Sequence, residues 1–500
     1  MNFSDSLPRA AWAACAFSLT AAAVGAAEQP LPAQASATLA KATVFMRSIA
    51  TEGGYLWRYS ADLTTRAGEN PATATQIWVQ PPGAPTMGMV FLRAYEVTGD
   101  AAYLEAAKAA ADALARGQLE SGGWDYLVDF DPKAGAAWYR RSDVGKLSPA
   151  DAAKRKNIST FDDDNTQSAL RLLLAVADAT KGPGDARDAR IREARDYGLA
   201  KLVAAQRPAG GWPQRWAGVP VTAAEYPVKN AAMPKDWPRE HPKTNYFGHY
   251  TLNDNTHRDC VMTLLDAHKR LGKPEYRAAA LRGGDFLLRA QLPEPQPVWA
   301  QQYDAQLQPA WARAFEPPSA CTSESVGVMR LLTDLYVETG EARYLEPLPR
   351  AIAWFKRSAI APDLWARMYE LETNKPIYGD RDGKIYHRVE DLSAERQTGY
   401  SWKSNYGVTA AITHYEEVKA AGRDGVLAKR QAAAEKAKTP AAKAARAKAL
   451  EPRVRTVVAA LDAQGRWLAT PRRGGGGPEI STMVFEQNAR LLCDYLEAVK

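Results

Sequence analysis

The sequence has few cysteines. Four are present among 500 residues, and Cys15 falls in an N-terminal segment that we expect to be removed. Cys260, Cys321 and Cys493 follow no zinc-binding spacing. Because Cys260 and Cys493 lie on the apolar faces of predicted helices, packing in a core accounts for both. Oxidation of one pair in an exporting compartment stays open. The cysteines therefore indicate no zinc site.

Long apolar runs are also scarce. Apart from residues 10–26, no stretch is long and apolar enough to span a bilayer. That run follows Arg9, is rich in alanine and ends in small residues, a pattern typical of a secretory signal peptide. We expect a signal peptide over 1–27 and a single domain over 28–500, in a monomeric protein that is secreted or periplasmic. An ordinary first helix is the alternative for the apolar run.

The formal charge is +7, and part of the excess lies in residues 428–455. This segment reads AKRQAAAEKAKTPAAKAARAKALEPRVR, a run of helix-forming residues that is interrupted at Pro440. We predict a basic, Ala/Lys-rich helical insertion that is solvated. A nucleic-acid surface is disfavoured, because no aromatic residues are interleaved with the cations and the protein is expected to be exported. A basic exported protein attracts acidic polymers instead.

The chain repeats one helical unit. Each unit contains an amphipathic helix, a turn of the kind seen in VTGDAAY and RLGKPEY, a second helix and an aromatic-rich loop. Trp124, Trp212, Trp299 and Trp365 take the same place in successive units. Paired helices that cannot bury a face alone stack on their neighbours, and strand-like alternation is scarce. We therefore predict an all-α fold, an α/α toroid or barrel of repeated helical hairpins with a loop-lined cleft. An open solenoid is the alternative.

Acidic and amide side chains gather where two of these helices begin, in TFDDDNTQ (160–167) and LNDNTHRD (252–259). If the first helices of the units are equivalent, their N-termini meet at one end of the toroid. Asp162, Asp163 and Asp254 then face one cleft. Hard oxygen ligands suit Ca²⁺, with water or a substrate carboxylate completing the coordination. Helix capping and a carboxylate pair for glycoside hydrolysis are the alternatives.

Arginines and aromatic residues accompany the carboxylates in the predicted cleft. Surface salt bridges explain any single arginine, but several beside an acidic cluster favour an acidic sugar, because guanidinium groups bind carboxylates in a bidentate manner. The arginines are Arg313, Arg330, Arg367, Arg381 and Arg396. The aromatic residues, which either offer faces to sugar rings or pack inside the rim, are Trp212, Trp216, Tyr246, Tyr250 and Trp402.

Five motifs, taken together and in order, resemble the pectate lyases of polysaccharide lyase family 10. They are GGWPQRW (210–216), LNDN (252–255), SESVGVMRLL (323–332), YELETNKPIYGDRDG (369–383) and ERQTGYSW (395–402). The resemblance covers roughly residues 155–410 of the chain, and the repeat extends it to the preceding helices. It implies an (α/α)₃ toroid that cleaves polygalacturonate by β-elimination with Ca²⁺.

The resemblance also implies roles for individual residues. TFD and LNDN supply the calcium-binding carboxylates Asp162 and Asp254, with Asp163 beside them. The base is an arginine, which Arg313 in ARAFEP matches best by order and spacing. Because a neutral guanidine is scarce at neutral pH, we predict an alkaline optimum. The residues expected to bind substrate are Arg330, Arg381, Arg396, Asn255 and Trp212.

The sequence departs from the family pattern in two places. Asp163 and Asp164 stand where the family has an Asn-Gly pair, and a Pro-rich insertion over 223–250 is expected to reshape one end of the cleft. Two other functions stay open. One is a glycoside hydrolase of uronic-acid glycans on the same toroid, with Asp162 or Asp254 as acid and base. The other is a catalytically silent protein that binds acidic glycans.

Overall fold

The computed structural model describes residues 29–180, 182, 184–471 and 477–500. The predicted signal peptide over 1–27 lies outside the described residues. Within the described ranges no helix is long and apolar enough to cross a membrane. Fourteen α-helices are present in them: α1 (Leu31–Ser48), α2 (Ala84–Thr98), α3 (Ala101–Gly117), α4 (Pro149–Ala152), α5 (Asn165–Ala179), α6 (Ala186–Ala204), α7 (Thr256–Leu271), α8 (Pro274–Ala290), α9 (Thr322–Thr339), α10 (Leu348–Ser358), α11 (Ala394–Gly399), α12 (Val408–Lys438), α13 (Pro440–Ala459) and α14 (Thr482–Ala498).

Short strands lie in the connections between the helices. They form small antiparallel sheets in the orders β15-β16-β1-β2, β13-β12-β11-β9, β3-β4, β5-β6, β7-β8 and β10-β14. The strands are β1 (Arg58–Ser60), β2 (Arg66–Ala67), β3 (Gln76–Trp78), β4 (Leu127–Asp129), β5 (Ser159–Thr160), β6 (Arg215–Trp216), β7 (Tyr250–Thr251), β8 (Gln302–Tyr303), β9 (Ala320–Cys321), β10 (Trp365–Ala366), β11 (Met368–Tyr369), β12 (Pro376–Gly379), β13 (Ile385–Tyr386), β14 (Lys403–Ser404), β15 (Leu468–Ala469) and β16 (Glu479–Ser481).

The long helices form hairpins, and the first helices of successive hairpins pack side by side. Helix α2 contacts α5, α5 contacts α7, α7 contacts α9, and α9 contacts the start of α12. The ring closes because α13 contacts both α12 and α14, and α14 contacts α2. At the closure α14 also packs on α1, and Arg58 of β1 pairs with Ser481 of β16. The predicted all-α toroid of helical hairpins is confirmed.

Three of the first helices end at a glycine in the left-handed region. Gly99, Gly272 and Gly340 follow α2, α7 and α9 with φ of 78°, 68° and 80°. A residue with a Cβ is disfavoured in this conformation, so glycine is the usual residue that ends a helix in this way. These turns are the ones that the repeated sequence pattern predicted between the helices of each unit.

Buried tryptophans hold each second helix to the loop that follows it. The indole N–H donates to a backbone carbonyl of that helix: Trp124 to Leu114, Trp212 to Leu202, Trp299 to Leu287 and Trp365 to Phe355. This equivalence of four tryptophans was predicted. Trp467 is a fifth, because its indole donates to Val457 of α13 at 2.9 Å. The same contact therefore recurs in five units.

The basic segment over 428–455 spans the end of α12 and most of α13, and the two helices are separated at Pro440 as expected. Its second half is more than a solvated insertion. Val454 is fully buried, and α13 packs against α14 and α1. Helix α13 is therefore the outer helix of a hairpin, and its buried positions begin at Ala447, whereas no residue of the segment before Ala447 is buried.

Candidate active site

The site lies where the first helices of the second and third repeats begin. Before α5, residues 162–164 form a 3₁₀ turn, and before α7 residues 253–255 form another. In both turns the second residue is left-handed: Asp163 has φ 52° and ψ 31°, and Asp254 has φ 47° and ψ 36°. The two turns are copies of one structure, so Asp163 corresponds to Asp254, and Asp162 corresponds to Asn253.

Hydrogen bonds from the repeated tryptophan loops position these turns. Thr160, just before the first turn, donates its amide to the Trp124 carbonyl at 2.9 Å. Thr251, just before the second, donates to the Trp212 carbonyl at 3.1 Å. The tryptophans that anchor the outer helices therefore also fix where the two acidic turns enter the cleft.

Three carboxylates meet between the turns. One oxygen each of Asp162, Asp163 and Asp254 lies within 4.8 Å of the others. The amide of Gln214 donates to Asp162 at 2.6 Å, and the amide of Asn253 donates to Asp254 at 2.6 Å and to Asp162 at 3.3 Å. The structure thus brings together all three residues that the sequence predicted as calcium ligands.

The carboxylates of this cluster resist ionisation. Burial, and then repulsion from Asp254, raises the pKa of Asp162 to about 6. Burial, and then repulsion from Asp162, raises the pKa of Asp163 to about 7. The pKa of Asp254 is also raised, first by desolvation and then by Glu324. Closely spaced carboxylates of this kind favour a bound cation, which would relieve their repulsion.

The donor set fits calcium. All of its members are hard oxygen atoms, and the side-chain oxygens of Asn253 and Gln214 are buried beside the cluster without accepting a hydrogen bond from any described residue. Calcium accepts such carboxylate and amide oxygens with irregular geometry. The three carboxylates alone supply fewer ligands than calcium usually takes, so water or a ligand carboxylate would complete the shell.

Arg313 lies across the cleft from the acidic cluster. Its positive charge opposes the rise in the pKa of Asp162 and of Asp254. The guanidinium itself binds Glu316 through Nε at 2.8 Å and through a second nitrogen. Burial alone would lower the pKa of Arg313, but Glu316 raises it well above its usual value. Arg313 is therefore a cation in this arrangement.

Arg313 and three further arginines surround one pair of aromatic rings. The rings of Phe315 and Tyr400 meet at 5.3 Å between their centroids. The guanidinium carbons of Arg313, Arg381 and Arg396 lie 4.8, 5.5 and 4.5 Å from the Phe315 centroid, and that of Arg367 lies 4.5 Å from the Tyr400 centroid. We call Arg313, Arg367, Arg381 and Arg396 the arginine cluster. Arginines held against aromatic faces keep their charged edges available for carboxylates.

Carboxylates within the protein orient the arginine cluster. Glu395 accepts hydrogen bonds from Arg381 at 3.0 and 3.2 Å, and it accepts hydrogen bonds from Arg396 as well. The hydrogen bonds from Arg396 and then Arg381 lower the pKa of Glu395 to about 2. Arg396 is buried, whereas Arg381 is largely exposed. Arg381 therefore presents its guanidinium to the solvent side of the cleft, and Arg396 supports it from below.

Glu324 and Arg367 form a buried pair next to Asp254. They are 3.0 Å apart, and both influence the pKa of Asp254, which Glu324 raises and Arg367 lowers. The sequence analysis named Arg367 as a cleft residue without a role and missed Glu324. The acidic residue in the first turn of α9, in the motif SESVG, was the available signal.

Two of the predicted substrate-binding residues contact other parts of the protein. Trp212 is fully buried, donates its indole N–H to Leu202 and packs edge-on against His257 at 5.3 Å. The prediction that Trp212 binds substrate is therefore corrected: it is a core residue of the repeat. Arg330 is an exposed residue halfway along α9 that donates to the Gly407 carbonyl at 3.4 Å, and its role in binding substrate stays a prediction.

Asn255 stays at the cleft. It is exposed, and it lines a small hollow with Glu324 and Gly327 directly after Asp254. Of the aromatic residues proposed to face sugar rings, Trp216, Tyr250 and Trp402 are buried. Each is therefore a packing residue.

Tyr246 is the aromatic residue that does face the site. It is half-buried, and desolvation and then the Glu316 charge raise its pKa, which Arg313 and Asp162 also influence. It belongs to the predicted insertion. Its neighbour Phe247 lies against the guanidinium of Arg215, 4.1 Å from the ring centroid. Tyr246 was predicted either to offer its face to a sugar ring or to pack inside the rim, whereas Phe247 was not named.

The insertion also reaches the loops that carry the arginine cluster. The Trp311 indole donates to the Pro238 carbonyl at 2.8 Å, and the His241 ring nitrogen Nε2 lies 3.1 Å from the Ala312 carbonyl. The His241 amide donates to the Gly383 carbonyl at 2.8 Å. The insertion therefore braces the loop before Arg313 against the loop after Arg381.

Comparison with known proteins shows that the sequence matches one protein family. The family model described as pectic acid lyase matches residues 132–362 and 358–411, more than half of the chain. No curated protein sequence matches.

Several solved structures are similar. A family 10 polysaccharide lyase from Cellvibrio cellulosa has 23% sequence identity and a TM-score of 0.45, covering 67% of this chain and 97% of that chain. A mutant of the family 10 lyase from that organism, in complex with trigalacturonic acid, has 23% identity and a TM-score of 0.45, with 67% and 98% covered. A cellobiose 2-epimerase from Bacillus thermoamylovorans has 12% identity and a TM-score of 0.42, with 92% and 98% covered.

Proposed function

Because this chain belongs to the pectic acid lyase family and is a polysaccharide lyase, we propose that it cleaves polygalacturonate by calcium-dependent β-elimination with an arginine base. The products are oligogalacturonides with an unsaturated end. The observation that carries the proposal is the meeting of Asp162, Asp163 and Asp254 opposite the cation of Arg313. A cleft with a calcium site and guanidinium groups suits a polymer with a carboxylate on every sugar.

Asp162, Asp163 and Asp254 would hold the calcium ion. When bound, calcium would neutralise the carboxylate of the reacting sugar and so make the neighbouring C5 proton more acidic. Asn253 and Gln214 hold Asp162 in place through the hydrogen bonds described above. These two amides keep the carboxylate oriented while its protonation state or its ligand changes.

Arg313 takes the C5 proton in this proposal. The electron pair of the C5–H bond becomes the C4–C5 double bond, the bond between C4 and the glycosidic oxygen breaks, and that oxygen accepts a proton from solvent water. A guanidine must be neutral to act as a base, and the bound Glu316 disfavours the neutral form. The reaction is therefore expected to accelerate as the pH rises above neutrality.

The remaining members of the arginine cluster bind neighbouring carboxylates of the polymer. Arg381 is exposed and held by Glu395, so it is oriented before the substrate arrives. Such preorganisation strengthens binding because less side-chain freedom is lost. Asn255, next to Asp254, contributes amide hydrogen bonds to the substrate. The proposed signal peptide over residues 1–27 directs the enzyme out of the cytoplasm. Pectic polymers occur as substrates outside the cell.

An ultraviolet assay tests the proposal. The purified protein is mixed with polygalacturonate at alkaline pH, first with calcium and then with a chelator. Absorbance from unsaturated uronates that rises with calcium and stops with chelator supports the eliminase. Reducing ends without this absorbance would instead support the hydrolase, for which the raised pKa values of Asp162 and Asp163 supply a protonated carboxyl group. Retained binding without either product would support a silent glycan-binding protein.

A further inference from the structure

The positive charge of the protein is concentrated in one segment. Residues 428–455 contain nine basic and two acidic residues, an excess of seven. The whole chain carries +7, so the remaining residues hold equal numbers of both signs. The electrostatic attraction of this protein for acidic polymers therefore originates in less than a tenth of its length.

This segment belongs to a helical projection. Helix α12 has a non-helical residue, Gly422, with φ 66° and ψ 170°. All buried residues of α12 precede it, the last being Val418. From 419 to 446, a stretch that the structure describes in full, no residue is buried. We call residues 423–448 the basic arm. Ala447 is the only buried residue of the arm, so the arm contributes little to the core of the toroid.

Local preferences alone explain why the arm is helical. It consists mainly of alanine, lysine, arginine and glutamine, which favour helices without burial. Thr439 starts α13 by accepting a hydrogen bond from the Ala442 amide at 3.3 Å, and Pro440 occupies the first helical position. The arm can therefore present a surface whose composition is not dictated by packing.

The cations on this surface are mostly uncompensated. Two have partners: Lys438 pairs with Glu435 at 2.7 Å, and Arg446 pairs with Asp494 and Glu497. Seven others in the segment make no ion pair with any described residue: Lys429, Arg430, Lys436, Lys443, Lys448, Arg453 and Arg455. A groove of about 700 Å³ beside the arm is lined by Lys438, Lys443 and Lys448.

We propose that the basic arm is a second binding site for acidic polysaccharide, separate from the catalytic cleft. The proposal rests on the proposed function for the choice of polyuronate as the ligand. A polyuronate presents one carboxylate per sugar, and binding through charge alone requires only a row of unpaired cations. The arm has no aromatic residue on which nucleic-acid bases could stack, and it has no broad apolar face for a lipid surface.

The arm lies well away from the acidic cluster. Fourteen residues separate the start of α12 at the cleft rim from Gly422, which corresponds to about 21 Å of helix. A short oligosaccharide in the cleft therefore does not reach the arm, whereas a polymer does. Attachment at two places along one polymer raises the effective concentration of substrate at the cleft. The arm should consequently affect long substrates and spare short ones.

The test compares two variants with equal charge loss. The arm variant replaces Lys429, Arg430, Lys436, Lys443 and Lys448 by glutamine. The control variant replaces five exposed cations elsewhere by glutamine: Lys41, Arg47, Lys269, Lys273 and Lys356. Glutamine preserves helix propensity, and circular dichroism verifies that both variants are folded. Binding to long polygalacturonate is measured by affinity electrophoresis with chelator present, over a range of salt concentrations.

We expect the arm variant to bind the polymer about tenfold more weakly, with a shallower dependence on salt, and the control variant to change by less than about twofold. On the polymer the KM of the arm variant rises, while kcat/KM on trigalacturonate is unchanged. Equal losses in both variants, or no loss in the arm variant, would overturn the proposal. So would arm-dependent binding to phosphatidylglycerol vesicles without binding to polygalacturonate. If lyase activity is absent from all proteins but arm-dependent polymer binding persists, the proposed function fails and the second site stands.

Discussion

Asp163 and Asp254 are equivalent residues in two copies of one turn, and their carboxylates meet in the cleft. Both have left-handed backbones, with φ of 52° and 47°. Each is followed by a second left-handed residue, Asp164 or Asn255. Consecutive left-handed residues other than glycine are unfavourable and persist where the surrounding structure imposes them, often at functional sites. The repeat has therefore supplied two carboxylates of the site from one structural solution.

The first prediction concerns the stability of the protein without calcium. The raised pKa of Asp163, about 7 in the folded protein against 3.8 as a reference, means that the folded state binds more protons. Stability from this group is complete below about pH 4 and is lost as the pH rises to about 7. In chelator, we expect the melting temperature of the native protein to fall across this window, and Asp163→Asn to reduce that fall.

Calcium should reverse the loss. A ligand at a hundredfold excess over its Kd stabilises the folded state by about 2.7 kcal/mol, so a rise of a few degrees is expected at pH 8. Asp163→Asn and Asp254→Asn should each abolish most of that rise, while Asp266→Asn, at a half-buried position of α7 where the carboxylate pairs with Arg270, should preserve it. Differential scanning calorimetry measures all four proteins. A full calcium response in both site variants would contradict the assigned ligands.

The second prediction concerns the base. Glu316 raises the pKa of Arg313, so Glu316→Gln should lower that pKa and increase the neutral fraction of the guanidine at a given pH. We expect the rising limb of the pH–rate profile to move down by about one unit or more. Arg313→Lys should reduce kcat by about a thousandfold.

Glu338→Gln, at an exposed position on α9, serves as the control and should leave the profile in place. Initial rates of double-bond formation between pH 6 and 11 provide the measurement. A Glu316→Gln enzyme with a lower rate but an unmoved profile would show that Glu316 only supports the loop. In that case Arg313 would not be the titrating base.

How much of this site is predictable from sequence depends on the kind of residue. The carboxylates Asp162, Asp163 and Asp254 were found because acidic residues at the start of two equivalent helices must meet in a closed ring. The motif comparison named Asp162 and Asp254 as the calcium-binding carboxylates, with Asp163 beside them, and only the backbone shows that Asp163 is the residue equivalent to Asp254. A one-residue difference in the length of an acidic run cannot be resolved without the turn geometry.

Burial was the harder quantity to predict. Trp212 lies in the aromatic loop motif GGWPQRW, but it takes the packing position that Trp124 and Trp299 take in their own units. The repeat itself was the signal that should have identified Trp212 as core. Tyr246 was named with four other aromatic residues and could not be distinguished from them, because an insertion has no repeat partner and its contacts depend on how the loop folds back.

The third prediction concerns Tyr246. Its hydroxyl group lies in the field of Glu316, Arg313 and Asp162, beside the residues to which the proposed reaction is assigned. Tyr246→Phe should lower kcat by about tenfold with little change in calcium affinity, because only a hydrogen bond to the reacting sugar is lost. The matched control is Tyr226→Phe, in which the hydroxyl bond to the Gly248 carbonyl at 2.9 Å is removed from the same insertion.

Comparing these two variants separates direct from indirect effects. If Tyr226→Phe lowers kcat as much as Tyr246→Phe does, the insertion acts by bracing the cleft, and the hydroxyl of Tyr246 has no contact with the reaction. If only Tyr246→Phe is slow, the phenol acts on the substrate. Steady-state kinetics on polygalacturonate and calcium titrations by calorimetry provide both readouts.

The fourth prediction concerns the closure of the ring. Trp467 donates its indole N–H to Val457 of α13 and packs against Phe485 of α14, with 5.9 Å between ring centroids. Trp467→Phe removes a buried hydrogen bond and part of a large side chain, so it should destabilise the protein by about 1–3 kcal/mol. Because Trp124 makes the same contact with Leu114, Trp124→Phe should lower the free energy of unfolding by a comparable amount.

The control is Trp138→Phe, at a partly exposed tryptophan of the rim whose indole donates to Asp125. This variant should lose less stability. Urea unfolding of the three variants measures the differences. A Trp467→Phe variant as stable as the native protein would mean that α13 and α14 hold the ring closed without this contact.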